Sequence, residues 1–246
     1  MAGWLPACSV PSPQPVGRPL LALSEICGDL RALDAVLAAV DTLELCGIVV
    51  AGDHCLGGEQ PFEVMQRLRE LNAVLVRGPT DLALGTLRAD EMLPESGEQA
   101  RALRAFIDSQ SALGEVLCRR LAELPTSAVV SLDDHSGVMV VAGSPRDDYG
   151  VLGPEFSDGE LEEATFCVAE DVLVCGRSAV GFVRRLSRHV FVNAGSVGKS
   201  ARRTPDGGKT AHAVLIQPFS DGVIRAFPAD IDVPKPRRPR AHRKVS

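Results

Sequence analysis

Three short apolar runs, each closed by a small polar cluster and followed by an amphipathic stretch, constrain this chain most. The first is Pro19-Leu20-Leu21-Ala22-Leu23, the second Gly47–Gly52 (GIVVAG) and the third Ala73–Arg77 (AVLVR). A continuous apolar run of this length, without alternation, suits a strand buried on both faces of a parallel sheet. Between the first two runs, Leu30, Leu33, Leu37 and Val40 recur at helical spacing, with Val36 widening the stripe and Asp29 placed to cap the first turn. Between the second and third, Pro61 fits a helix start, and Phe62, Met65, Leu68 and Leu71 share one face. The order is βαβαβ, which implies parallel strands joined by right-handed crossovers. Ligands of such folds sit outside the carboxyl ends of the strands. Here those ends carry Ser24, Glu25, Cys27 and Asp29, then Asp53, then Gly78-Pro79-Thr80-Asp81, read as a turn.

Beyond the third run the pattern changes. Glu98–Leu124 reads as helix, through Ala102, Leu103, Phe106, Leu113, Val116, Leu117 and Leu121, stopped by Pro125. Ser127–Leu132 and Gly137–Ala142 read as two strands of a hairpin. Glu160–Ala169 reads as a short helix and Asp171–Cys175 as a buried strand ending at Gly176-Arg177-Ser178-Ala179. His189–Val192, Ala211–Gln217 and Val223–Phe227 complete a second half that reads as antiparallel. The fold class is α/β, a two-sheet β-sandwich flanked by helices over residues 19–230.

Residues 1–18, rich in Pro and Ser, read as a disordered segment, and 231–246 as a disordered basic tail. Pro234–Ser246 holds six Lys or Arg and no acid; the rest of the chain has 20 basic and 32 acidic residues, a net −12. An acidic body argues against nucleic-acid binding except weakly through the tail, and with one Tyr and one Trp there is no stacking platform for bases. Leu5-Pro6-Ala7-Cys8 resembles a lipoprotein cleavage box but lacks the basic start and apolar core of a signal. No run approaches the roughly 20 apolar residues of a membrane span. Seven cysteines, odd in number and without close metal-type pairing, read as reduced thiols, so a cytoplasmic protein is expected.

The ordered series of strand ends runs Ser24-Glu25-Ile26-Cys27-Gly28-Asp29, Gly52-Asp53, Gly78-Pro79-Thr80-Asp81, Ala142-Gly143-Ser144-Pro145, Gly176-Arg177-Ser178-Ala179 and Asn193-Ala194-Gly195-Ser196-Val197-Gly198. It resembles the calcineurin-like metallophosphoesterases, in particular their small bacterial and archaeal phosphodiesterase branch, from about Leu20 to Gln217. That resemblance implies an αββα sandwich whose strand ends carry Asp-x-His, Gly-Asp, Gly-Asn-His-Asp, a His before Gly, and Gly-His-x-His. These hold two divalent metals that clamp a phosphate and activate a hydroxide. Carried over, the first pair becomes Glu25 and Cys27, and Asp53 keeps its bridging carboxylate. The ligand Asn becomes Pro79, and its neighbouring His becomes Thr80. The lone His becomes Ala142, and the last pair Arg177 and Ala179. Pro, Ala and Arg side chains cannot ligate a cation.

The expectation is therefore a vestigial pocket, no catalytic residue, no dinuclear manganese or iron, and a binding, regulatory or scaffold role toward an unknown protein partner or a small anionic ligand. The alternative is a phosphoesterase with a rebuilt site. One zinc or iron could be held by Glu25, Cys27 and Asp53 with His54 turned inward, or a metal-free anion site could be formed by Arg177 and Arg146 with Lys199. Against the latter stands an ion pair of Arg177 with Glu25 or Asp53. Cys27, near a helix start, is either a thiol of lowered pKa or an inert buried one.

Overall fold

The computed structural model describes residues 12–199, 204 and 208–235. Two five-stranded mixed sheets pack face to face with helices outside. The three apolar runs form parallel strands β1 (Leu20–Leu23), β2 (Gly47–Ala51) and β3 (Val74–Val76), linked by helices α1 (Leu30–Ala39) and α2 (Pro61–Glu70). Asp29 caps α1, accepting from Ala32 N at 2.9 Å, and Pro61 opens α2. The long hairpin of β9 (Lys209–Pro218) and β10 (Ile224–Val233) adds antiparallel to β1, giving the order β10-β9-β1-β2-β3.

The second sheet has the order β4-β5-β6-β8-β7, from β4 (Ser127–Ser131), β5 (Gly137–Val141), β6 (Val172–Cys175), β7 (Phe182–Arg185) and β8 (Val190–Asn193). It is not antiparallel throughout, as the sequence suggests. Strands β5, β6 and β8 run parallel, and only β4 and β7 at the edges run against them. Short apolar runs such as VLVC and VFVN do not encode strand direction. The connections do, and α5 (Asp158–Ala164) lies in the β5-to-β6 crossover. Strand β7 is absent from the sequence reading because Arg184 and Arg185 break its apolar character.

Between the sheets, Ala22, Val49 and Ala51 face Val138, Val140, Val174 and Val192 in a core of mostly small β-branched side chains. Such a core lets two sheets approach closely. A Cβ on Gly176 would lie 1.9 Å from Ser24 Oγ and 2.7 Å from the Ala51 carbonyl, so the first-sheet and second-sheet strand ends touch there. The outer face of the first sheet packs Leu21, Leu23 and Val50 on Leu33, Val36 and Leu68 of α1 and α2.

Gly78-Pro79-Thr80-Asp81 is not a free turn. It opens helix α3 (Pro79–Thr86), with Pro79 at the first helical position where its missing N–H costs nothing. The following helix α4 (Gly97–Ala122) is broken at Gly114, whose φ of 73° and ψ of 161° only glycine adopts without strain. Residues 12–18 are held rather than loose: Val16 N donates to the Pro218 carbonyl at 3.0 Å, and the Arg18 guanidinium grips Asp133 through two bonds of 3.0 Å. Strand β10 continues to Val233, three residues into the segment assigned to the basic tail. Phe227, Ile231 and Val233 alternate with Asp230 and Asp232, and Val233 is buried against α1. The rest of the two terminal segments, 1–11 and 236–246, lies outside the described residues.

Candidate functional site

The ends of β1, β2, β3, β6 and β8 meet at one edge of the sandwich, and their loops are stitched by backbone bonds. Glu25 N donates to the Gly52 carbonyl (3.1 Å), Cys27 N to Asp53 (3.0 Å), Gly28 N to His54 (2.8 Å) and Gly198 N to Glu25 (2.8 Å). This stitching forces unusual backbone. Six non-glycine residues among those described have positive φ, and four of them are Glu25 (47°), Cys27 (54°), Asp53 (58°) and Arg177 (65°). Each costs about 1–2 kcal/mol. Four of the eight positions of the expected pocket therefore carry strain, while Pro79, Thr80, Ala142 and Ala179 do not have positive φ.

Asp53, 2% exposed, sits at the centre. Its Oδ1 accepts from Thr80 N (3.0 Å) and Thr80 Oγ1 (2.7 Å), and its Oδ2 accepts from Arg177 Nη1 at 3.0 Å. Of the two carboxylates open to Arg177, Asp53 is the one it reaches. Pro79 is buried at the start of α3 and presents the Thr80 backbone to Asp53. Ala142 is fully buried, and a Cβ on Gly52 would lie 2.7 Å from its methyl group, so the two strand ends are in direct contact. Ala179 is exposed, beyond Ser178.

Glu25 is half-buried, and burial followed by the nearby Asp53 charge raises its pKa; Lys199 and Arg177 oppose that rise. Cys27 is 4% exposed, and burial pushes its thiol up to about 12, against the pull of Lys199. The lowered thiol pKa that a helix start can produce is therefore overturned by desolvation. Arg146 does not join Arg177: its guanidinium stacks 5.2 Å from the centre of the Phe166 ring. Lys199 lies toward Cys27 instead, in a cavity of about 280 Å³ shared with Arg31, Asp29 and Lys209. The three-cation anion site is thus not assembled around Arg177.

His54 does not turn toward Asp53. Its ring is fully buried, with Nδ1 2.8 Å from Asp81 Oδ2 and Nε2 without a partner among the described residues. Asp81, itself fully buried, also accepts from Asp53 N (2.8 Å), Gly78 N (2.8 Å) and His54 N (3.0 Å). Burial alone would raise its pKa, but the His54 ring and the N–H bonds from Gly78 and His54 outweigh that and hold it below the usual carboxylate range. Asp81 is the residue the sequence reading passed over. It is the last member of Gly-Pro-Thr-Asp, the position of the Asp in the family's Gly-Asn-His-Asp, and that correspondence was the available signal. Among the described residues, no three His, Cys, Asp or Glu side chains are gathered so as to hold one ion.

The fold and these strand ends have a counterpart among known proteins. Residues 22–215 match the family model of the calcineurin-like phosphoesterase superfamily domain. The chain belongs to that superfamily. Two solved structures share the metallophosphoesterase sandwich. A hypothetical protein from Pyrococcus horikoshii is 18% identical with a TM-score of 0.75, over 88% of this chain and 89% of that one. A metallophosphoesterase from Sphaerobacter thermophilus is 20% identical with a TM-score of 0.69, over 89% and 90%. No curated protein matches the sequence. Within the calcineurin-like phosphoesterase domain, the six strand-end segments fall inside the matched span. None of the described helices is long and apolar enough to cross a membrane.

Proposed function

We propose that this chain is a calcineurin-like phosphoesterase that has given up phosphoester hydrolysis and serves as a binding or scaffold protein. The observation that carries the reading is the bonding of Asp53. Its one oxygen is taken by Thr80 and the other by the Arg177 guanidinium. Two metals in this superfamily would need that carboxylate between them. Here a fixed positive charge stands 3.0 Å from it, and Pro79, Ala142 and Ala179 bring no donor atom to the remaining positions. A unit charge about 4 Å from Arg177 would meet repulsion of about 4 kcal/mol at an effective dielectric near 20, and a divalent ion about twice that. The residues present do not fit a dinuclear centre. An Arg–carboxylate pair serves instead as the cross-link between the two sheets' strand ends.

A second reading, a metal-free or mononuclear phosphoesterase, rests on Glu25. A half-buried carboxyl of raised pKa beside a second carboxylate and a guanidinium is the arrangement of a general acid. Hydrolysis of bis(p-nitrophenyl) phosphate by the full chain, with and without added manganese or zinc, separates the two. The binding-protein reading expects no turnover above buffer in either condition. Turnover that Glu25→Gln and Asp53→Asn both abolish would establish the second reading and reject the first.

A further inference from the structure

We infer that the groove between α2 and the second half of α4 is a docking surface for a protein partner presenting an apolar segment flanked by carboxylates. The groove encloses about 600 Å³. Leu68 and Leu121 form its closed floor, Met65, Leu75 and Leu117 are half-buried in its walls, and Phe62 stands 40% exposed at its lip. Leu75 belongs to β3, the edge strand of the first sheet, and packs against the outer core cluster. Of α4, only residues after the break at Gly114 line it.

Charge decides what kind of segment fits. Arg69 of α2 and Arg120 of α4 rim the groove, and no acidic residue lines it. Neither guanidinium has an ion-pair or hydrogen-bond partner among the described residues. The adjacent Arg67 and Arg119 differ: Arg67 meets Glu70 at 3.5 Å and Asp34 at 3.7 Å, and Arg119 meets Glu115 at 2.6 Å. In a chain of net charge −6, an acid-free apolar groove between two unpaired arginines is a local reversal of sign. Such a rim steers and orients an acidic-flanked partner while the apolar floor supplies affinity. None of the lining residues belongs to the strand-end site, so the inference stands apart from the question of hydrolysis.

The test is selection from a random 12-residue peptide display library on the full chain, followed by anisotropy titration of the enriched peptides. Enriched sequences are expected to carry two or three apolar residues with Asp or Glu beside them. Their affinity is expected to fall at least about tenfold on Arg69→Glu/Arg120→Glu, and also on Leu117→Glu. Both arginines are exposed, so the double variant is expected to keep the wild-type circular dichroism spectrum and melting temperature. The inference is overturned if no peptide enriches, if enriched peptides lack acidic residues, or if charge reversal leaves their binding unchanged. A concentration-dependent dimer in sedimentation velocity that Arg69→Glu/Arg120→Glu dissolves would assign the groove to a second copy and overturn it as well.

Discussion

Replacing Asp81 by alanine is expected to cost this fold more than any other single change at the strand ends. The fully buried carboxylate accepts four hydrogen bonds, three from backbone N–H groups of Asp53, His54 and Gly78 and one from the His54 ring. Truncation orphans those donors beside a cavity. Each buried donor left unsatisfied costs about 1–3 kcal/mol, toward the upper end where the lost acceptor is a carboxylate. The losses overlap because the donors share one acceptor, so the expected destabilisation is about 4–6 kcal/mol, a large part of a typical domain's 5–15 kcal/mol. Asp81→Asn keeps one acceptor oxygen but turns an NH₂ toward N–H donors, for about 2–4 kcal/mol. Urea unfolding followed by far-ultraviolet circular dichroism, with the m-value unchanged, measures both. The sign of the pH dependence follows from the depressed pKa. The contribution of Asp81 is complete above the ordinary carboxyl pKa and is lost as pH falls through the lower folded-state value. The difference between wild type and Asp81→Asn is therefore expected to be constant from pH 7 to about 5 and to shrink below about 4. An Asp81→Ala variant within about 1 kcal/mol of wild type would refute this reasoning.

The pairing of Arg177 with Asp53 is expected to appear as a coupling energy of about 1–3 kcal/mol in a double-mutant cycle of Arg177→Ala and Asp53→Asn, measured by urea unfolding; a coupling near zero would make the contact incidental. Cys27, buried and with its thiol raised to about 12, is expected to resist iodoacetamide at pH 8 in the native protein, where about 10⁻⁴ of it is thiolate, while exposed Cys167 is alkylated within minutes. Peptide mass mapping of the native and urea-unfolded protein distinguishes them, and equal labelling of both cysteines in the native state would contradict the burial.

What was legible in the sequence was whatever rested on strand burial. The unbroken apolar runs at Leu20–Leu23 and Gly47–Ala51 are buried on both faces, so periodicity alone marked them as parallel and interior. Asp29 and Pro61 likewise announced two helix starts by local chemistry. What escaped depended on groups far apart in the chain. Gly-Pro-Thr-Asp has the composition of a turn, and only the packing of Leu84 against Leu121 and the bonds of Asp81 to β2's loop make it a helix start. His54 stands next to Asp53 and so looked able to share a ligand site, yet strand-end geometry sends the two side chains to different partners. Arg146 carried charge in a loop near the pocket, but Phe166, twenty positions on, captured it. An ion pair of Arg177 with Glu25 or Asp53 was open from the sequence; that Arg177 settles on Asp53 follows only from where the fold places the two strand ends.

Equilibrium dialysis of the full chain against manganese and zinc, with metal content read by elemental mass spectrometry, tests the central claim most directly. Asp53 held between Thr80 and Arg177 predicts only substoichiometric metal, no higher than in Asp53→Asn. Retention of two ions per chain, lost together in Asp53→Asn, would contradict it.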